Sequence, residues 1–145
     1  MKLTSPDFKD KEKIPIKFTG DGEDINPNLI IESIPENAKS LVLIVDDPDC
    51  PGGWDHWIVW NIPATERILK IKENSIPGVQ GKTIWGTNRY KGPKPPSGTH
   101  RYFFRILALD VALNLKEGSN REELEWCQYW VICIKFLPQK MEAAV

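Results

Sequence analysis

Along most of the chain, apolar residues either alternate with polar ones or form short unbroken runs, the two signatures of β-strands. Ser40 to Val45 is apolar at every position after its serine, which predicts a central strand covered on both faces. His56 to Ile62 is a similar run, rich in the aromatic and β-branched residues that strands favour. In His100 to Leu109, a two-residue period places His100, Tyr102, Phe104, Ile106 and Ala108 on one face. These three segments are expected to share the sheet that carries a site. Weaker strands are predicted at Lys2-Leu3, at Ile14 to Phe18 with Pro15 confining it to an edge, and at Leu29 to Glu32. Others are predicted at Ile68 to Lys72 and at Val131 to Leu137, which Pro138 ends, while the glycine-interrupted Val79 to Gly86 reads as a strand or an extended loop.

One helix stands out against this background. Ser119 lies three residues before Glu122, the spacing of a capping box, and Glu122-Glu123 suit the positive end of a helix, so a short helix is predicted over about Asn120 to Cys127. Tyr90 to Thr99 holds Pro93, Pro95 and Pro96, whose nitrogens cannot donate, and is read as a stiff loop.

Composition narrows the function. The 145 residues fit a single domain, 1–145, with no repeat or linker. No segment approaches a membrane span, so stable membrane insertion is not expected. Nineteen basic against twenty acidic side chains leave a net charge of -1, which offers no field for a polyanion and argues against nucleic acid. The N-terminus has no apolar core of a signal peptide. Three cysteines without metal-like spacing suit a reducing compartment, and the expected location is cytoplasmic.

Candidate chemistry concentrates between the first two strong strands. Asp46, Asp47, Asp49 and Asp55 crowd a turn made rigid by Pro48 and Pro51, with Gly52-Gly53 allowing a bend closed to other residues. Several carboxylates this close need positive or hydrogen-bonding partners, and His56, His100 and Arg101 are the candidates. The chain has only two histidines, His56 and His100, each opening a strong strand after a Pro/Gly-rich loop. If both strands share a sheet, the imidazoles face Asp47 and Asp49 beside Tyr102. Imidazole and loop N–H donors there suit a small anion. A plain polar turn accounts for Asp-Pro-Asp equally well, since Asp initiates turns. A metal site from His56, His100 and Asp47 or Asp49 has suitable ligand types but no close spacing. Ser97 or Thr99 with His100 lacks the elbow of a serine nucleophile. Cys50, beside Asp49, is read as a structural thiol.

Four segments in order, Gly22-Glu23-Asp24-Ile25-Asn26-Pro27, Asp47-Pro48-Asp49-Cys50-Pro51, Trp54-Asp55-His56-Trp57 and Gly92-Pro93-Lys94-Pro95-Pro96-Ser97-Gly98-Thr99-His100-Arg101-Tyr102, resemble the phosphatidylethanolamine-binding protein family. The likeness is greatest to its compact bacterial and archaeal members, also called Raf kinase inhibitor-like proteins, and covers about Met1 to Glu125. It implies an all-β fold, a Greek-key β-sandwich with one or two short helices near the C-terminus. It also implies a pocket for phosphate-like anions formed by Asp47, Asp49, His56, Gly92, His100 and Tyr102, with Gly92 letting backbone approach the ligand. The family implies a ligand-binding modulator of a kinase, protease or other signalling partner, without cofactor or turnover. A metal-dependent or acid/base hydrolase in the same pocket is the alternative. The aromatic tail from Trp126 to Val145 departs from the resemblance, and three readings stay open for it: a divergent wall of the pocket, an oligomer contact such as a homodimer, or the product of a shifted reading frame.

Overall fold

The computed structural model describes the backbone of residues 1–130 and 139–145, and the side chains of 1–127 and 143–145. Its strands are β1 (Lys2–Thr4), β2 (Leu29–Glu32), β3 (Ser40–Asp47), β4 (Trp54–Pro63), β5 (Ile68–Ile71), β6 (Val79–Gln80), β7 (Arg101–Leu109) and β8 (Gln139–Ala144). One α-helix, α1, spans Arg121–Trp130. The strands form two sheets, one ordered β1-β2-β5 and the other β6-β4-β3-β7-β8, and every strand pairing is antiparallel. Read from β7 to β6, the larger sheet has the Greek-key order, in which the last strand returns to lie beside the first.

All eight residues of β3 are buried, as its unbroken apolar run predicts. One face of the large sheet contributes Leu41, Leu43, Val45, Trp57, Val59, Tyr102, Phe104 and Ile106 to a core shared with Leu3, Leu29, Ile31 and Ile71 of the small sheet. The opposite face contributes Val42, Ile44, Ile58 and Trp60, which pack with Leu124 of α1 and with Leu113. The architecture is therefore a β-sandwich with a helix backing its larger sheet.

Ionic contacts hold α1 to that sheet. Arg121 reaches Asp46 at 3.2 Å and Asp55 at 2.8 Å, and Arg105 of β7 meets the other oxygen of Asp46 at 2.9 Å. Asp46 is only 6% exposed, so its charge needs these partners. Burial pushes the Asp55 carboxyl above the usual range, with Arg121 working in the other direction.

Several local expectations are corrected. Ile14 to Phe18 is not a strand: Ile16–Phe18 forms a 3-10 turn, closed by the Phe18 amide donating to Pro15 and the Thr19 amide donating to Ile16. Pro15 has no N–H for a ladder, and Ile16 is 72% exposed. Of Val79 to Gly86, readable as strand or loop, only Val79–Gln80 is strand. A Cβ at Gly81 would lie 2.8 Å from both the Ser119 carbonyl oxygen and the Trp60 ring, so this glycine serves a close chain crossing. The helix cap is one residue later than expected. Asn120 Oδ1 accepts from the Glu123 amide at 2.9 Å, and Glu123 Oε2 accepts from the Asn120 amide at 2.8 Å. Ser119 instead passes its carbonyl to the Lys82 amide. The strand expected over Val131 to Leu137 lies outside the described residues. Within the tail left unassigned, β8 pairs with β7 from Arg101↔Ala144 to Ile106↔Gln139.

Phe104 has no exposed surface, and Phe104→Ala is expected to cost about 3–5 kcal/mol, read as a lower denaturation midpoint. A midpoint within error of the parent protein contradicts this core. Asn120→Ala is expected to cost about 1 kcal/mol through loss of the cap. An unchanged melting curve contradicts the capping assignment.

Candidate functional site

The acidic turn is sorted by strand alternation into three separate environments. Asp46 and Asp55 go to the arginines beneath α1. Asp49 turns to Arg101, whose amide donates to Oδ2 at 2.8 Å and whose guanidinium takes Oδ1 at 2.6 Å. That side-chain pairing, with the Arg101 amide, holds the Asp49 carboxyl at about 2. Asp47, only 1% exposed, stays at the buried end of β3.

Around Asp47 the chain assembles a compact polar cluster. His100, immediately before β7, places Nδ1 2.8 Å from Asp47 Oδ2. The Cys50 thiol donates to the same oxygen at 3.3 Å, and Sγ lies 3.6 Å from His100 Nδ1. The Asp49 amide donates to Asp47 Oδ1 at 2.9 Å. Burial raises the Asp47 carboxyl, but hydrogen bonds from His100, the Asp49 amide and Cys50 outweigh it and hold the group below its usual range. Burial, then the hydrogen bond to Asp47, pushes the Cys50 thiol up to about 11, so it is protonated at neutral pH. Tyr102 is likewise held neutral, by burial first and by Asp47 second.

His56 reaches this cluster by means of a β-bulge. Val45 pairs with Trp57 while Asp46 pairs with Asp55, which leaves His56 as the extra residue of β4. A bulge re-aims side chains, and here it turns the imidazole onto the Tyr102 ring, 5.1 Å away at 85°. Trp85 closes on the same imidazole at 4.8 Å and meets Trp54 edge-on at 5.6 Å. Trp85 is 41% exposed, so these indoles line the rim.

The two nitrogens of His56 have different surroundings. Nδ1 lies 2.7 Å from the Lys91 carbonyl, which accepts hydrogen bonds only, so Nδ1 carries the proton. Nε2 is buried and has no hydrogen-bond partner among the described residues. Burial lowers the affinity of the ring for a second proton, whereas the Lys91 carbonyl and the charges of Asp47, Asp55 and Asp24 raise it, and burial prevails. The resting ring is therefore neutral, with a bare lone pair on Nε2.

Gly92 acts at one remove from this ring. A Cβ there would come within 2.6 Å of Thr19 backbone and 2.8 Å of Gly20 backbone. Its amide donates to Asp24, which also binds Lys91 Nζ at 2.8 Å. Gly92 thus lets the 90–99 loop dock on residues 19–24, which fixes the Lys91 carbonyl against His56. The structure accordingly brings Asp47, His56, His100 and Tyr102 together, points Asp49 to Arg101, and places Gly92 in the supporting loop. Sequence reasoning did not assign Cys50, Trp54, Trp85 or the Lys91 carbonyl to this cluster. A separate cavity of about 280 Å3, lined by Asp24, Asn26, Gln80, Arg89 and Tyr90, includes neither histidine.

The family model for phosphatidylethanolamine-binding protein matches residues 4–128. A UPF0098 protein of Pyrococcus abyssi is 50% identical over 127 residues, covering 81% of this chain and 71% of the relative. A UPF0098 protein of Methanothermobacter thermautotrophicus is 44% identical over 133 residues, covering 86% of each. The crystal structure of a phosphatidylethanolamine-binding protein homologue from Chlamydia trachomatis superposes with a TM-score of 0.90 at 36% identity, over 99% of this chain and 95% of the other. That of Escherichia coli YbcL, described as a new member of the mammalian family, gives a TM-score of 0.85 at 26% identity, over 99% and 96%. With matching sequence, matching fold and the four ordered motifs, the chain belongs to the phosphatidylethanolamine-binding protein family.

Proposed function

We propose that the chain is a non-catalytic binding protein whose pocket takes a small phosphate-like anion and which modulates a protein partner, a kinase or a protease, in the cytoplasm. The observation that carries the anion reading is the buried, unpartnered Nε2 of His56. A buried polar atom without a partner costs about 1–3 kcal/mol, and a ligand that satisfies it recovers that cost. An anion meets a lone pair only through a proton. Either the imidazole gains one, or the ligand brings one on a phosphate hydroxyl. In the first case binding takes up a proton; in the second the hydroxyl that phosphate already carries donates to Nε2 and no proton need be taken up.

The environment favours binding over turnover. Asp47 is saturated by His100, Cys50 and the Asp49 amide, which leaves it poorly placed as a general base. Asp49 is bound by Arg101 on two edges. The thiol of Cys50 is held in its non-nucleophilic form. The free thiols of Cys50 and Cys127 suit a reducing compartment. Among the described residues, no helix is long and apolar enough to cross a membrane. The indole rim of Trp54 and Trp85 supplies apolar surface on which a partner, or the organic part of a phosphate ester, can rest.

Calorimetric titration with phosphate and with sulfate tests this reading. Sulfate carries no proton near neutral pH, so its affinity reports the imidazole alone. It is expected to rise as pH falls from 8 to 6, by up to about tenfold per unit while His56 is neutral. His56→Ala is expected to remove phosphate binding with the fold retained by circular dichroism. Undiminished phosphate affinity in that variant overturns the proposal. Hydrolysis of a chromogenic phosphate ester above background by the parent protein, lost in His56→Ala or His100→Ala, supports the hydrolase alternative.

A further inference from the structure

The Asp47 cluster has a second property, independent of the anion reading. The mutual distances of Asp47 Oδ2, His100 Nδ1 and Cys50 Sγ are 2.8, 3.3 and 3.6 Å. A tetrahedral Zn2+ with ordinary Zn–N, Zn–O and Zn–S bonds separates its ligand atoms by about 3.3 to 3.6 Å. Two of the three edges already match, and the third needs to open by about half an ångström. We propose that Asp47, Cys50 and His100 form a transition-metal site suited to Zn2+, with a fourth position open to water or to an anionic ligand.

Two observations converge on this site. First, the donors are of the kinds that select zinc, a thiolate, an imidazole and a carboxylate, and they converge from β3, the turn after it and the start of β7. Second, two of the three donors are oriented by their own scaffold. The Asp49 amide fixes the Asp47 carboxylate, and His100 exchanges backbone hydrogen bonds with Val145 at 3.1 and 3.2 Å.

The binding step balances simply. The ion forms bonds to Asp47 Oδ2, Cys50 Sγ and His100 Nδ1. The thiol proton leaves to solvent, and the proton through which His100 Nδ1 bonds Asp47 leaves that nitrogen, the ring keeping a single proton on Nε2 so that Nδ1 binds the ion. No electron is transferred.

Titration of the purified, chelator-treated protein with Co2+, then competition with Zn2+, tests the proposal without phosphate present. One equivalent of Co2+ is expected to produce tetrahedral ligand-field bands and a near-ultraviolet thiolate-to-metal charge-transfer band, both removed by one equivalent of Zn2+. Cys50→Ser is expected to lose the charge-transfer band, and Asp47→Asn and His100→Gln to weaken Zn2+ at least tenfold. The Cys127→Ser/Cys133→Ser double variant is expected to retain the full spectrum. Circular dichroism confirms the fold of each variant. If Cys50→Ser fails to fold, the double variant decides the matter, because Cys50 is then its sole thiol. No charge-transfer band in that double variant, or a band that survives Cys50→Ser, overturns the proposal. Phosphate titration of chelator-treated protein reads the anion site separately, so failure of one does not imply failure of the other.

Discussion

Two carboxylates, Asp46 and Asp47, end a strand that is buried along its whole length, and much of the surrounding structure answers their charge. Asp46 points towards the helix layer, and its partners Arg105 and Arg121 tie β7 and α1 to the sheet. Asp47 points the other way, and its partners His100 and Cys50 draw together the start of β7 and the turn after β3. A buried carboxylate without such partners destabilises the fold strongly, so each provides a reason for a distant segment to be where it is. The fold and the candidate site therefore share one electrostatic origin.

The polar network is satisfied at Asp47 and incomplete at His56. Burial of the imidazole, its fixed Nδ1–H and the extra residue of the bulge leave one nitrogen exposed to nothing but the site. Such a group is unfavourable for stability and useful for recognition, because a ligand that completes it gains affinity the apo protein lacks. Asp24, Lys91 and Gly92 have no direct part in that chemistry. They keep the loop carbonyl in place, and through it the tautomer.

The large sheet was legible because its strands are long and their burial follows the apolar pattern closely. β3, β4 and β7 lie where their runs predict. The Ile14 to Phe18 segment was not, since its alternation imitates a strand while Pro15 denies it a ladder. The cap was ambiguous by composition: Ser119 with Glu122 and Asn120 with Glu123 have identical spacing, and the burial of Ser119 at a chain crossing decided between them. Grouping of Asp47, His56, His100 and Tyr102 could be read from strand starts and the two-residue period. Arg101 could be read as a candidate partner for the carboxylates, though not its assignment to Asp49; the Cys50 contact and the bulge at His56 could not be read, because each depends on the register between segments far apart in sequence.

The central claim concerns one atom, and nitrogen-15 spectra of the two histidines address it directly. The account predicts that free His56 at neutral pH carries its proton on Nδ1 and shows an unprotonated Nε2. Saturating phosphate should then move the Nε2 resonance to that of a nitrogen holding or sharing a proton, with Nδ1 unchanged. A free protein with His56 protonated on Nε2, or a resonance that phosphate leaves in place, contradicts it.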